Sequence, residues 1–231
     1  MPQPTAPQAP ERPSAGDPRP MLQVDIVSDV VCPWCIIGFL QLDRALAATG
    51  TLARLRWHPF ELNPDMPPEG QNLREHIIQK YGTSAEDSDA ARDRLTALGR
   101  DLGFAFNFTP ETRMHNTFRA HQLLDWAEQQ GRQHPLKRAL FAAHFTDNRP
   151  LDDPATLAAI AGQAGLDPQA AAAALASGAH AGPVRAKQRF WLDRGIRGVP
   201  AMVFAGKYLV TGAQGAETYE TLIRRCLAEA A

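Results

Sequence analysis

The spacing of apolar and polar positions along this 231-residue chain runs from strand-like to helical and back. From Met21 onward, LQVDIVSDVV is β-branched and bounded by polar residues, the pattern of a short buried strand. WCIIGFLQLDRALAATG then sets Ile36, Phe39, Leu40, Leu46 and Ala47 at helical spacing and ends on Gly50, a helix stop. ARLRWHPFEL alternates and reads as a second strand, closed by Asn63-Pro64. A strand, a helix and a strand within about forty-five residues make a βαβ unit.

Residues 66–195 predict helix after helix. NLREHIIQKYG and DAARDRLTALGRDLG are amphipathic, and NTFRAHQLLDWAEQQG follows a Phe-rich link, FAFNF. HPLKRALFAAHFTDN, DPATLAAIAGQAG, DPQAAAAALASG and AGPVRAKQRFWLDRG come next, two of them opening on Asp-Pro at the helix start. Strands return in AMVFAG and KYLVTGA, which meet at Ala205-Gly206-Lys207 as a hairpin. A last helix, ETYETLIRRCLAEA, completes the order βαβ, helical block, ββα.

Residues 1–20 depart from this pattern. They hold seven prolines and almost no bulky apolar side chain. The stretch has neither the basic start nor the continuous apolar run of a secretory signal. It cannot bury enough surface to offset its ordering entropy, so a disordered Pro-rich tail is expected. The whole chain is 44% hydrophobic and 21% charged, as a soluble globular protein is. A formal net charge of −1 excludes a global field that recruits nucleic acid or an anionic membrane. No apolar run is long enough to span a bilayer. The expected location is the cytoplasm, where structural disulfides are rare and a cysteine pair is catalytic or metal-binding.

Such a pair exists: Cys32-Pro33-Trp34-Cys35 stands between the first strand and the first helix. Three chemistries compete for it. Zinc needs four ligands in a closed structural site, and the only other cysteine is the distant Cys226. An inert, buried pair suits Cys226, on the apolar face of its helix, better than two cysteines flanking Pro-Trp at a strand-to-helix junction. Redox chemistry explains the placement. At a helix start, the Cys32 sulfur meets unpaired N–H groups and the positive dipole end, which lower a thiol below its free value of about 8.5. Pro33 suits the first helical turn. Cys32 is then the exposed nucleophile and Cys35 the shielded resolving thiol.

A second signal lies in RGVPAMVF, where Gly198-Val199-Pro200 leads directly into a strand. With it, the chain resembles the DsbA-like branch of the thioredoxin superfamily, and within it the FrnE-like proteins. The stretches that carry the resemblance are DIVSDVVCPWC, WHPFELNP, NTFRAHQLL, GIRGVPAMVF and KYLVTGAQ. The resemblance implies an α/β thioredoxin fold with an inserted all-helical domain. Its N-terminal βαβ half would occupy 21–65, the helical insertion 66–180, and the C-terminal half 181–231. It also implies a cis Val199–Pro200 bond beside the CPWC sulfurs, with the backbone of Val199 pairing an extended substrate. Without the cysteines, Pro200 would read as an ordinary strand-start proline.

The implied reaction is thiol–disulfide exchange through a mixed disulfide on Cys32, resolved by Cys35, with Pro33, Trp34 and Pro200 in support. Its direction stays open, since potentials in the superfamily run from about −270 to about −120 mV. Trp34 supplies no positive charge to a thiolate. Asp25 and Asp29 would disfavour one if buried nearby, although solvation is the expected fate of Asp29. Kappa-type glutathione transferases and hydroxychromene-carboxylate isomerases share the architecture and form the alternative class. Asn63 and Val199 are positions where glutathione could dock. The resemblance also sets Asn116 and His121 beside the active-site groove, a partly buried helical surface being the other reading. Expected partners are thiol- or disulfide-containing proteins or a small thiol. No bound cofactor and no metal are expected, with a thiol such as glutathione serving as redox partner.

Overall fold

The computed structural model describes residues 21–230; the tail expected over 1–20 lies outside the described residues. Strand β1 (Met21–Ser28) leads into helix α1 (Pro33–Thr49) and strand β2 (Leu52–Pro59). Gly50 caps α1 in the left-handed conformation, φ 60°, which lets its N–H and the next bond back onto the last carbonyls of α1. Helices α2 (Leu73–Tyr81), α3 (Ala85–Asp101), α4 (Phe118–Gln129), α5 (Gln133–Phe145), α6 (Pro154–Gln163), α7 (Pro168–Ser177) and α8 (Ala181–Asp193) follow. Asp153 and Asp167 cap α6 and α7 through their carboxylates, with Pro154 and Pro168 in the first turn. Strands β5 (Ala201–Phe204) and β6 (Tyr208–Thr211) and helix α9 (Ala216–Ala230) complete the described chain. A two-residue antiparallel ladder, β3 (Gln71–Asn72) with β4 (Arg113–Met114), is not foreshadowed in the sequence pattern.

The main sheet has the order β2-β1-β5-β6, with β1 parallel to β2 and antiparallel to β5. Alternate residues of β1 face opposite sides. Leu22, Val24 and Ile26 join the core under α1 and α9, whereas Val27 packs with Trp191 of α8, Ile196 and Ala201. This is the α/β thioredoxin fold with helices inserted between its halves. The helices have a core of their own around Leu123, Leu136, Leu140 and Leu157. Phe106, Phe141 and Phe145 cross into the core of the sheet and weld the two together. Trp57 and Trp191 are buried, and Trp126 packs at the edge of the helical core. Among the described residues, no helix is long and apolar enough to cross a membrane.

Candidate active site

Cys32 is the N-cap of α1, in extended conformation at φ −91° and ψ 113°, and Pro33 opens the helix. The Cys35 N–H donates to the Cys32 carbonyl at 3.0 Å, which folds the CPWC segment into the first turn. Across from it, the Val199–Pro200 bond is cis and β5 begins at Ala201. The Cys32 S–H donates to the Val199 carbonyl at 3.7 Å, so residues 167 positions apart meet at one sulfur. Glycine at 38 permits this approach: a Cβ there would lie 3.3 Å from the side chains of both Pro200 and Met202.

Both sulfurs are more enclosed than the sequence implies, at 4% exposure for Cys32 and 0% for Cys35. The cause is a roof formed by α2 and α3. Between that roof and the start of α1 lies a cavity of about 290 Å³, lined by Cys32, Pro33, Trp34, Asn63 and Val199. Cys35 is behind its wall. Most of the lining is apolar, including Leu73, Ile77, Leu95 and Phe108, and the aromatic rings of Trp34 and Tyr81 are exposed. Lys80 and Arg92 bring positive charge to it. Asn63 is held in place there: its Oδ1 accepts from Lys80 Nζ at 2.6 Å and lies 3.0 Å from His76 Nε2. Burial pushes the His144 imidazole in the same wall down to about 3, so it is neutral at physiological pH.

The ionisation of the pair reverses the sequence expectation. Cys32 is pushed well above the ordinary thiol value, first by its hydrogen bond to Cys35, then by burial, with the charge of Asp29 also against it. Burial opposes ionisation of Cys35, but the hydrogen bond from Cys32 and the ammonium of Lys137 outweigh it, and Cys35 is lowered. The two thiols titrate as a pair, and the ammonium of Lys137 favours negative charge on the Cys35 side of it. The helix start gives Cys32 access; a buried lysine gives Cys35 the charge.

Asp29 is 0% exposed rather than solvated. Burial works against its carboxylate, but hydrogen bonds from His121 and the Leu62 N–H hold it below the usual carboxylate range. The Leu62 N–H donates to Oδ2 at 2.7 Å. His121 Nε2 lies 3.2 Å from Asp29 Oδ1 and 2.9 Å from the Phe60 carbonyl, so Nε2 is the protonated nitrogen. His121 is thus turned into the core, 2% exposed, where it ties α4 to the turn before Cys32. It does not reach the cavity. Asn116 does not line it either. Its Nδ2 donates to the Met66 carbonyl at 3.0 Å and its Oδ1 accepts from the Phe118 N–H, which anchors the loop after β2 to the start of α4.

Sequence reasoning passed over Lys137, His76, Lys80 and His144. Lys137 carried a signal: in HPLKRALFAAHF it sits four residues before Phe141, on the apolar face of α5. The other three are placed by tertiary packing of α2 and α5 over Cys32.

A dithiol at the start of the first helix of a thioredoxin fold thus faces the Val199–Pro200 loop. The chain belongs to the DSBA-like thioredoxin domain family, whose model matches residues 23–224. Among solved structures it is similar to a probable DsbA oxidoreductase from Streptomyces coelicolor. The two are 33% identical over 90% of this chain and 91% of that one, with a TM-score of 0.84. More distant likenesses show the fold alone. A 2-hydroxychromene-2-carboxylate isomerase is 18% identical over 90% of this chain and 97% of that one, TM-score 0.65. The cytosolic disulfide reductase DsbM from Pseudomonas aeruginosa is 17% identical over 89% and 98%, TM-score 0.62, and is also solved with GSH. No curated protein matches the chain.

Proposed function

We propose that the protein is a thiol–disulfide oxidoreductase of the FrnE-like branch that works through a mixed disulfide on Cys32, resolved by Cys35. The observation that carries this is the placement of the two sulfurs. Cys32 lines the cavity and touches Val199, while Cys35 lies directly behind it. In the reducing direction, the shared proton crosses from Cys32 to Cys35, and the Cys32 sulfur attacks a substrate disulfide. A Cys32–substrate bond forms, the substrate S–S bond breaks, and one substrate thiolate leaves. Cys35 gives its proton to the released substrate thiolate, the resulting Cys35 thiolate attacks the Cys32 sulfur, the Cys32–Cys35 bond forms, and the second substrate thiolate leaves. In the mixed disulfide Cys32 has no S–H, so the Val199 carbonyl is free to accept an N–H from the substrate. The reverse sequence delivers a disulfide.

The site of action is the cytoplasm, a reading supported by the cytosolic DsbM. One observation favours a second reading, a glutathione-dependent transferase or isomerase acting on a small molecule: the cavity is roofed and of small-molecule size. Insulin reduction and refolding of scrambled ribonuclease separate the two. Wild type is expected to catalyse at least one, and Cys32→Ala neither. Equal rates in wild type and Cys32→Ala would overturn the dithiol mechanism.

A further inference from the structure

Helix α2 roofs the substrate cavity without being built into the core. Of its nine described residues, none is buried. Leu73, Ile77 and Tyr81 recur every four residues and so share one face, which lines the cavity together with Cys32 and Val199. The N-terminal end of α2 is fixed. The Leu73 N–H donates to the Thr112 carbonyl at 2.8 Å, and Asn72 Nδ2 donates to the Pro110 carbonyl at 2.7 Å. The C-terminal end stops on Gly82, at φ 63°, where an added Cβ would meet open space. That end is tied down by Lys80, whose Nζ donates to the Leu62 carbonyl at 2.8 Å and to Asn63 Oδ1 at 2.6 Å. One turn earlier, His76 Nε2 lies 3.0 Å from the same Asn63 oxygen.

These contacts divide a cleft in two. Beyond them lies a groove of about 450 Å³, lined by Pro64, Met66, Gln71 and Gln79. It shares Leu62, Asn63, His76 and Lys80 with the cavity that holds Cys32. The cavity alone, at about 290 Å³, is at the small end of small-molecule sites. A polypeptide needs more room, because an extended chain adds about 3.3 Å per residue on each side of its reacting cysteine. The helical block cannot swing as a body to supply it, since Phe106, Phe141 and Phe145 are packed into the core of the sheet. The C-terminal half of α3 is pinned as well: a Cβ at Gly99 would lie 2.5 Å from the Phe106 ring. The part left to move is α2 with the first turns of α3, which the Arg74–Asp89 pair joins to it at 2.8 Å.

We propose that Lys80 is a specificity-determining residue: its bonds to Leu62 and Asn63 latch α2 over the cavity as a lid, and their release joins cavity and groove into one cleft that admits polypeptide disulfides. With the latch closed, Cys32 meets small disulfides. Lys80 is exposed, so water takes over its donors and acceptors when it swings away, and the latch has the net strength of about one hydrogen bond. Once open, the face of Leu73, Ile77 and Tyr81 meets apolar side chains beside the substrate cysteine.

The proposal rests on the dithiol reading, and one experiment separates their failures. Reduced protein is mixed with insulin or with bis(2-hydroxyethyl) disulfide, quenched with N-ethylmaleimide at set times and weighed by intact-mass spectrometry. The readout is the oxidation rate constant with insulin divided by that with the small disulfide. In Lys80→Met this ratio is expected to rise about fivefold, the effect of losing about one net hydrogen bond. Lys80→Arg keeps the charge and the N–H donors and is expected to stay within about twofold of wild type. Asn63→Ala should raise the ratio too, and combining it with Lys80→Met should add nothing, because both break one contact. Insulin is anionic at neutral pH, so loss of a cation without lid opening would lower the ratio instead. Amide hydrogen exchange across α2 should quicken in Lys80→Met while that of α1 stays as in wild type. If Lys80→Met unfolds, seen as fast exchange throughout, Lys80→Ala and Asn63→Ala carry the same test. A ratio that falls or does not move would overturn the proposal. A wild-type dithiol that neither disulfide oxidises would sink the dithiol reading itself.

Discussion

Replacing His121 with leucine tests how the turn before Cys32 is held. The Asp29 carboxylate is fully buried and relies on His121 and the Leu62 N–H. Removing one partner of a buried pair leaves an uncompensated charge, at a cost of about 3–5 kcal/mol. In a domain of this size about 1 kcal/mol moves the melting temperature by roughly 2–4 °C, so a fall of roughly 6–20 °C is expected. The pH dependence gives a sharper signature. In wild type, the Asp29 carboxyl is held low, so its contribution is present above its unfolded value of about 3.9 and is lost as pH falls through the lower folded value. In the variant, burial dominates and the folded value rises above the unfolded one. Its stability then declines as pH rises, and the deficit relative to wild type is larger at pH 7 than at pH 4.5. Urea unfolding followed by tryptophan fluorescence at the two values reads this directly. Asp29→Asn combined with His121→Leu should recover part of the loss. A deficit below about 1 kcal/mol at pH 7, or one independent of pH, would refute the reasoning.

Further outcomes follow from packing and access. Gly38→Val should push α1 away from Pro200 and Met202, costing about 1–3 kcal/mol and slowing turnover more than it lowers helix content in circular dichroism. Cys226 is buried on α9 and burial raises its thiol, so Cys226→Ser should leave insulin reduction unchanged; a lost activity would mean that it takes part in exchange. Iodoacetamide at neutral pH should modify Cys32 faster than Cys35 despite the higher thiol value of Cys32, because only Cys32 opens to the substrate cavity. Equal rates, measured by peptide mass mapping, would contradict that order.

Much of the scaffold was legible because each element carries a local signal. The β-branched run of β1, the Gly50 stop and the Asp-Pro starts of α6 and α7 state their elements within a few residues. The β3–β4 ladder was not, since two-residue strands from distant loops have no periodicity to show. In the site, the meeting of Cys32 with Val199 was implied by the family resemblance that the CPWC and GVP stretches carry. The electrostatics were not. Asp29 reads as a polar break before Val30, yet it is buried because His121, 92 positions away, comes to meet it. Lys137 breaks the rule that lysines lie outside, and only the packing of α5 on β2 shows that it is held in the core. Asn116 and His121 sit in the stretch that carries the resemblance, but their hydrogen bonds turn them toward the loop after β2 and the core.

The central claim, that Cys32 carries the substrate and Cys35 releases it, is tested most directly by trapping. Cys35→Ala and Cys32→Ala proteins are incubated with oxidised glutathione and with scrambled ribonuclease, quenched with acid and weighed by intact-mass spectrometry. A stable mixed-disulfide adduct on Cys32 is expected in Cys35→Ala and none in Cys32→Ala. Adducts of equal abundance in the two variants, or an adduct on Cys35 alone, would contradict it.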